Sequence, residues 1–202
     1  MYWIAAILFL LSPQQDEIPI KDRDAFVKKF DEVSESTTSI SCEFVQSKYI
    51  SISKEPLIST GQLYFEDEKM RWEQKEPKDY LMVIKDEVLK IREDGEIKEH
   101  SLSENKYMKG LREIMVGSMT GNLLKSDQFE TELMENSKHW IVNMVPRVKR
   151  VKKMFSHIKM KFNRSTYRME RVILTEPGGD YTTIEFKNAE FNKDIRDSLF
   201  EI

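Results

Sequence analysis

Gly61-Gln62-Leu63-Tyr64-Phe65-Glu66-Asp67-Glu68-Lys69-Met70-Arg71-Trp72-Glu73-Gln74-Lys75-Glu76-Pro77 is the stretch on which the fold turns. Apolar and charged residues interleave too closely for a helix face. The stretch reads as two strands, 60–65 and 70–74, with a charged turn between them, so that Arg71 and Trp72 fall on alternating faces.

Working outward, segments of similar length recur, separated by turn signals. Strands are expected at 41–52, 80–85, 87–93, 96–102, 128–134, 139–145, 155–162, 168–174 and 181–190, which with the opening pair makes about eleven, connected as a meander. Trp140-Ile141-Val142-Asn143-Met144-Val145 and Ile158-Lys159-Met160-Lys161-Phe162 alternate in the manner of half-buried strands. Glu93-Asp94-Gly95-Glu96 and Pro177-Gly178-Gly179-Asp180 are hairpin signals, because glycine accepts the positive φ of tight turns. This is the pattern of an all-β barrel or sandwich.

Two segments break it. Residues 20–36 place Phe26, Phe30 and Val33 at helical spacing, with Asp22 as N-cap. Residues 104–124 place Tyr107, Met108, Leu111, Met115 and Met119 on one side, and Gly117 and Gly121 would divide that segment into two short helices.

The chain has 202 residues, with 32 Lys and Arg against 35 Asp and Glu, so no global field recruits nucleic acid. The apolar run Met1 to Leu11 is shorter than the about 20 residues a membrane span needs and has the size of an export-signal core. Residues 1–20 are therefore expected to be a signal peptide and residues 21–202 a single domain in an exported, soluble protein. Cys42 is the only cysteine, so no internal disulfide is possible, and it lies too far in to carry a lipid behind such a signal.

Catalytic signals are scarce. There is no phosphate loop, no His-Glu-x-x-His and no Gly-x-Ser-x-Gly, and His100, His139 and His157 are isolated from one another. Gly178-Gly179-Asp180 resembles part of a nucleotide-cyclase signature, but Tyr181 stands where that signature has an acid, and a hairpin turn accounts for it. A hydrolase using one of many carboxylate pairs stays open, with nothing to single out a pair. No cofactor is implied. Abundant Met and aromatic residues serve either as plain core or as the wall of a lipid-binding sheet with the Met-bearing helices as its lid.

Phe44-x-Gln46, Gly61-x-Leu63-x-Phe65, Met70-Arg71-Trp72-Glu73 with Pro77 five residues past the Trp, Pro146, Phe191-Asn192 and Phe200 together resemble LolA-like outer-membrane lipoprotein carriers over 21–202. The resemblance implies an α+β fold, mainly β: an unclosed antiparallel β-barrel under a helical lid, enclosing a cavity for lipoprotein acyl chains. It implies a monomer with acylated lipoproteins as cargo, an inner-membrane ABC-type release complex as donor and an outer-membrane receptor, or the outer membrane itself, as acceptor. Cavity positions would be Leu63, Phe65, Met70, Trp72, Leu81, Val83, Trp140, Val142, Met144, Ile158 and Met160. The lid would carry Tyr107, Met108, Leu111, Met115 and Met119, and Met70 and Arg71 would dock the release complex. Glu66-Asp67-Glu68 stands where proteobacterial carriers have an Arg-Pro pair whose Arg latches the lid, so that latch is not carried over. The alternative within the same fold is a lipid-binding or envelope-stress sensory protein without lipoprotein transport. Lys149, Arg150, Lys152 and Lys153 form a local basic patch suited to anionic headgroups or an acidic receptor surface.

Overall fold

Twelve antiparallel strands of the computed structural model, which describes residues 16–102, 124 and 126–202, join in one open sheet. In chain order they are β1 (Ile18–Pro19), β2 (Ser39–Tyr49), β3 (Leu57–Glu66), β4 (Lys69–Glu76), β5 (Tyr80–Lys85), β6 (Val88–Glu93), β7 (Glu96–Ser101), β8 (Phe129–Glu135), β9 (His139–Pro146), β10 (His157–Asn163), β11 (Met169–Thr175) and β12 (Tyr181–Phe191). Eleven long strands match the eleven read from the sequence, and β1 is a dipeptide added at one edge. The spatial order is β1-β8-β9-β10-β11-β12-β2-β3-β4-β5-β6-β7, so the sheet does not close.

The expected single meander is instead two, β2–β7 and β8–β12. They are joined by β12 returning to pair with β2 from Tyr181↔Tyr49 to Phe191↔Ile40. That register is set by facing side chains, since Ile184 and Phe186 lie opposite Gln46 and Phe44. Three hairpins turn through two residues with positive φ, Asp67-Glu68, Asp86-Glu87 and Asp94-Gly95. Only the last carries the glycine that advertises such a turn.

Helix α1 (Arg23–Glu35) forms for reasons visible locally. Asp22 is extended at φ −124° and its carboxylate accepts from Ala25 N at 2.9 Å, satisfying one of the free amides at the helix start. Phe26 and Phe30, one turn apart, are buried on the inner face of the sheet. Two further short helices are α2 (Lys149–Lys152) and a C-terminal 3-10 turn, Asp197–Phe200. The segment 104–124 expected to form the lid lies outside the described residues, apart from Leu124, which packs against the cluster beneath α1.

At its N-terminal side the sheet also takes in residues 17–20. Glu17 accepts from Lys159 Nζ at 2.9 Å, Ile18 and Pro19 pair with β8, and Ile20 N donates to Leu133 O at 3.1 Å. The sheet therefore begins ahead of residue 21.

Candidate functional site: an apolar inner face beneath α1

Directly paired residues of antiparallel strands share a face, so the registers assign the inner face of the sheet. Cys42, Leu63, Trp72 and Met82 lie in one row, and Ile40, Phe65, Met70 and Ile84 in the next. On the other half, Met144 with Ile158, Val142 with Met160, and Trp140 with Phe162 make matching rows. The inner face thus carries two apolar clusters. One includes Phe26 and Phe30 of α1 above β8–β11; the other spans β2–β6 and draws on no residue of a described helix.

The second cluster is organised around Gly61. The Phe44 ring stacks on Trp72 with centroids 3.8 Å apart, directly over the glycine. A Cβ there would lie 2.5 Å from Phe44 Cζ and collide with the Glu73 carbonyl oxygen, so only glycine lets the rings lie flat on the sheet. The first cluster is an aromatic assembly instead. Phe26 stacks on Phe30 at 5.7 Å, Phe30 meets Phe162 edge-on at 5.0 Å, and Trp140 and Tyr167 pack against Phe26.

Between the clusters, under the C-terminal half of α1, lies an apolar cavity of about 40 Å³. Phe30, Val33, Ile40, Leu63, Phe162 and Phe186 are among its walls. Arg168 closes it at one side: its guanidinium lies 4.1 Å from the centre of the Phe191 ring and donates to Thr37 Oγ1, just past the end of α1. Burial holds the Arg168 pKa below its ordinary value. Cys42 faces the same cavity, and its burial, with Glu43 adjoining, pushes the thiol up to about 12, so it is no nucleophile.

The sequence-predicted wall residues divide three ways. Leu63, Phe65, Met70 and Trp72 are brought together in the strand-built cluster, and Val142, Met144, Ile158 and Met160 in the helix-covered one, with Trp140 packed against it. Leu81 and Val83 are corrected to the opposite face. They lie opposite Glu73 and Arg71, and they pack with Phe200 of the C-terminal turn in a separate cluster. The inner-face residues of β5 are Met82 and Ile84. Met70 is corrected as a rim or docking position: it is 0 % exposed, so in this conformation no partner touches it. Arg71 points the other way, bonded to Glu73 and to the Leu199 carbonyl, where it fastens the C-terminal turn to the outer face. The lid residues Tyr107, Met108, Leu111, Met115 and Met119 fall outside the described residues.

Of the basic patch, Lys149, Lys152 and Lys153 are exposed on and just after α2. Arg150 is partly buried and donates to Gln128 Oε1 at 2.9 Å, so it belongs to the packing of the helix rather than to the patch. Sequence reasoning missed Arg168, Tyr167, Met169 and Phe191 at the cavity. They come from β11, its preceding turn and the end of β12, and only the β12–β2 pairing brings them beside α1.

Among the described residues, no three His, Cys, Asp or Glu side chains group to hold a metal, and no helix is long and apolar enough to cross a membrane. An open antiparallel sheet with an apolar inner face under a helix is the geometry of a binding fold. The sequence profile described as outer membrane lipoprotein carrier protein LolA matches residues 35–202. The chain belongs to the LolA family. No curated protein sequence matches it.

Among solved structures, an uncharacterized conserved protein from Thermus thermophilus superposes with a TM-score of 0.54 at 8% identity, over 88% of this chain and 92% of the other. At that identity the likeness is one of fold. A LolA superfamily protein from Nitrosomonas europaea gives 0.46 at 11% identity, over 88% and 96%. The MucA/MucB complex of Pseudomonas aeruginosa gives 0.48 at 13%, over 88% of this LolA-family chain and 60% of the other.

Proposed function

We propose that this LolA-family protein is a periplasmic carrier that holds lipoprotein acyl chains against its inner face and shuttles lipoproteins from an inner-membrane ABC-type release complex to the outer membrane. The observation that supports it most is the pair of apolar clusters on one face of an unclosed sheet, separated by a cavity with α1 across it. The role is binding and transport, with no chemical step.

Physics sets what such a carrier must do. An acyl chain left in water costs about 0.8 kcal/mol per methylene, so three chains of ~15 methylenes cost on the order of 35 kcal/mol. An exposed patch does not offset that, and cargo must pass from one enclosed site to another. The cavity of about 40 Å³ is far below the roughly 300 Å³ at which ligand pockets begin, so it takes acyl chains only if its walls move. Loading then requires α1 to lift from the sheet. Lifting exposes Phe26 and Phe30, at about 1.5–3 kcal/mol for each side chain, and the entering acyl chains re-cover the same surface.

Val142, Met144, Ile158 and Met160 are the wall residues placed to receive the chains once α1 moves, with Phe65, Met70 and Trp72 extending that wall. Arg168, tied to Thr37 and Phe191, is the strap that resists the movement, in place of the latch the Glu66-Asp67-Glu68 turn lacks. Energy for loading comes from the release complex.

The test is to add the purified mature protein to spheroplasts and measure whether newly made lipoproteins appear in the soluble fraction in a one-to-one complex with it. A soluble complex is the expected result. Absence of release by folded protein facing its own inner membrane overturns the shuttle. Retention of a different lipid, or of a regulatory protein, would then assign the same cavity to a sensory role.

A further inference from the structure

Of the eight large apolar side chains left exposed among the described residues, Ile18, Ile97 and Val145 lie on separate strands, and the other five gather in one place. Tyr49, Ile52, Leu57, Ile58 and Tyr181 are exposed at 38, 94, 57, 55 and 37%, and all five lie where β2 ends, β3 begins and β12 begins. Monomer surfaces carry single exposed apolar residues routinely, but a contiguous group marks an interaction site. This group is built rather than frayed. Tyr49 and Tyr181 are register partners with rings stacked at 4.5 Å. Ser51 N donates to Asp180 Oδ1 at 2.9 Å, tying the hairpin tip to the neighbouring β11–β12 turn, and Ser53 N donates to Ile50 O at 2.9 Å within the tip.

A second feature lies at the same end of the sheet. The β9–β10 connection, which contains α2, feeds β10 at His157, and His157 pairs with Thr175, which pairs with Tyr181, which pairs with Tyr49. His157, four residues past the last of the exposed Lys149, Lys152 and Lys153, therefore sits three strands from Tyr49, roughly 15 Å at about 4.8 Å per strand. From Val145 to His157 the chain carries Arg147, Lys149, Arg150, Lys152 and Lys153 and no acid. The tip itself carries exposed Glu55 beside exposed Lys54; of the acids flanking it, Glu176 is paired with Lys48 at 3.2 Å and Asp180 accepts from Ser51. The acidic β6–β7 turn lies at the same end of the sheet, three strands from β3 on the opposite side from the lysines, with Glu93 and Asp94 both bonded by Lys78.

Stacked tyrosines below an aliphatic tip suit the boundary between water and hydrocarbon, because each ring has an apolar body and a polar hydroxyl. Clustered lysines beside such a tip suit anionic headgroups. Neither signal alone gives firm membrane binding, whereas an apolar insertion combined with a basic patch does. We propose that this end of the sheet docks on an anionic bilayer surface, with Ile52, Leu57 and Ile58 in the interface, Tyr49 and Tyr181 at headgroup level, and Lys149, Lys152 and Lys153 on the phosphates. It goes beyond the carrier reading, since it concerns where the protein rests and not what its cavity holds. The contact is small enough to be reversible, and it leaves the cavity beside α1, at the other end of β2, facing away from the membrane.

The experiment uses the full chain with protein-free vesicles of phosphatidylcholine alone and of phosphatidylcholine with phosphatidylglycerol. Cosedimentation with the anionic vesicles only is expected. Lys149→Glu/Lys152→Glu/Lys153→Glu should weaken it by about a hundredfold, at about fivefold per basic residue. Ile52→Ser/Leu57→Ser should weaken it by about tenfold. Both variants lie on exposed surface and should keep wild-type circular dichroism and wild-type retention of an acylated peptide, which separates failure here from failure of the carrier reading. An environment-sensitive dye on Ile52→Cys, with Cys42 buried and unreactive, should shift to the blue on anionic vesicles. No association of the native chain with anionic vesicles, or equal binding by the variants, overturns the proposal. A dye shift only with membranes that contain proteins also overturns it, and assigns the tip to a protein receptor.

Discussion

The two apolar clusters share one sheet and one face yet are held together differently. Around β2–β6 the described residues meet strand to strand, with Leu102 just past β7 added, and the Phe44–Trp72 stack is locked down by a glycine that admits no other residue. Above β8–β11 the same kind of apolar wall is capped by α1 through two phenylalanines, and the helix is held at its start by Asp22 and past its end by Arg168 on Thr37. Interlocked strands open only by unfolding, whereas a helix lying on a wall can leave as a unit. In this LolA-family sheet, then, one half is chassis and the other is door.

The largest test strikes the chassis. Gly61→Ala should lower stability by about 4 kcal/mol or more, since its Cβ meets a backbone carbonyl and an aromatic ring that have nowhere to go. Urea denaturation followed by Trp fluorescence checks it, and a loss below about 1 kcal/mol would mean the stack is not locked. Phe30→Ala strikes the door and should cost about 3 kcal/mol by the same measurement. Its widened cavity should take up a fluorescent fatty acid faster than wild type, an effect Gly61→Ala should not show.

Asp22→Ala removes the cap of α1 and should cost about 1 kcal/mol, with amide exchange accelerated in α1 and unchanged in β2–β4. Uniform acceleration across both regions would erase the distinction drawn above. The smallest effect is one of pH. Burial, helped by the charge of Lys159, holds the His157 pKa below its ordinary value, so the folded state keeps this ring neutral. Its contribution is fully present above about pH 6.5, where the unfolded ring is also neutral, and is lost as pH falls below that, because the unfolded chain binds the extra proton. His157→Gln should flatten that part of the stability profile.

Much of this was legible along the chain. Where charged and apolar residues alternate, as in Met70-Arg71-Trp72-Glu73, the inner face could be read directly, and Asp22 announced α1. In Leu81-Met82-Val83-Ile84 both faces are apolar, so parity was hidden, and Leu81 and Val83 were assigned to the wrong side. What covers them, Phe200, lies more than a hundred residues away. The same distance hid the cavity mouth: nothing near Arg168 in sequence points to Thr37 or Phe191. Two of the tight turns, Asp67-Glu68 and Asp86-Glu87, adopt positive φ without glycine, so only the strands on either side revealed them.

An unclosed sheet leaves two raw edges, and each invites another chain to add a strand and propagate a fibre. One edge here ends in β1, only two residues long and so too short to template a further strand, and its Pro19 has no N–H to donate. The other ends in β7, Glu96-Ile97-Lys98-Glu99-His100-Ser101, whose charges must be stripped of water before a newcomer can pair. The sheet can thus stay open, because both of its seams are poor seeds for aggregation.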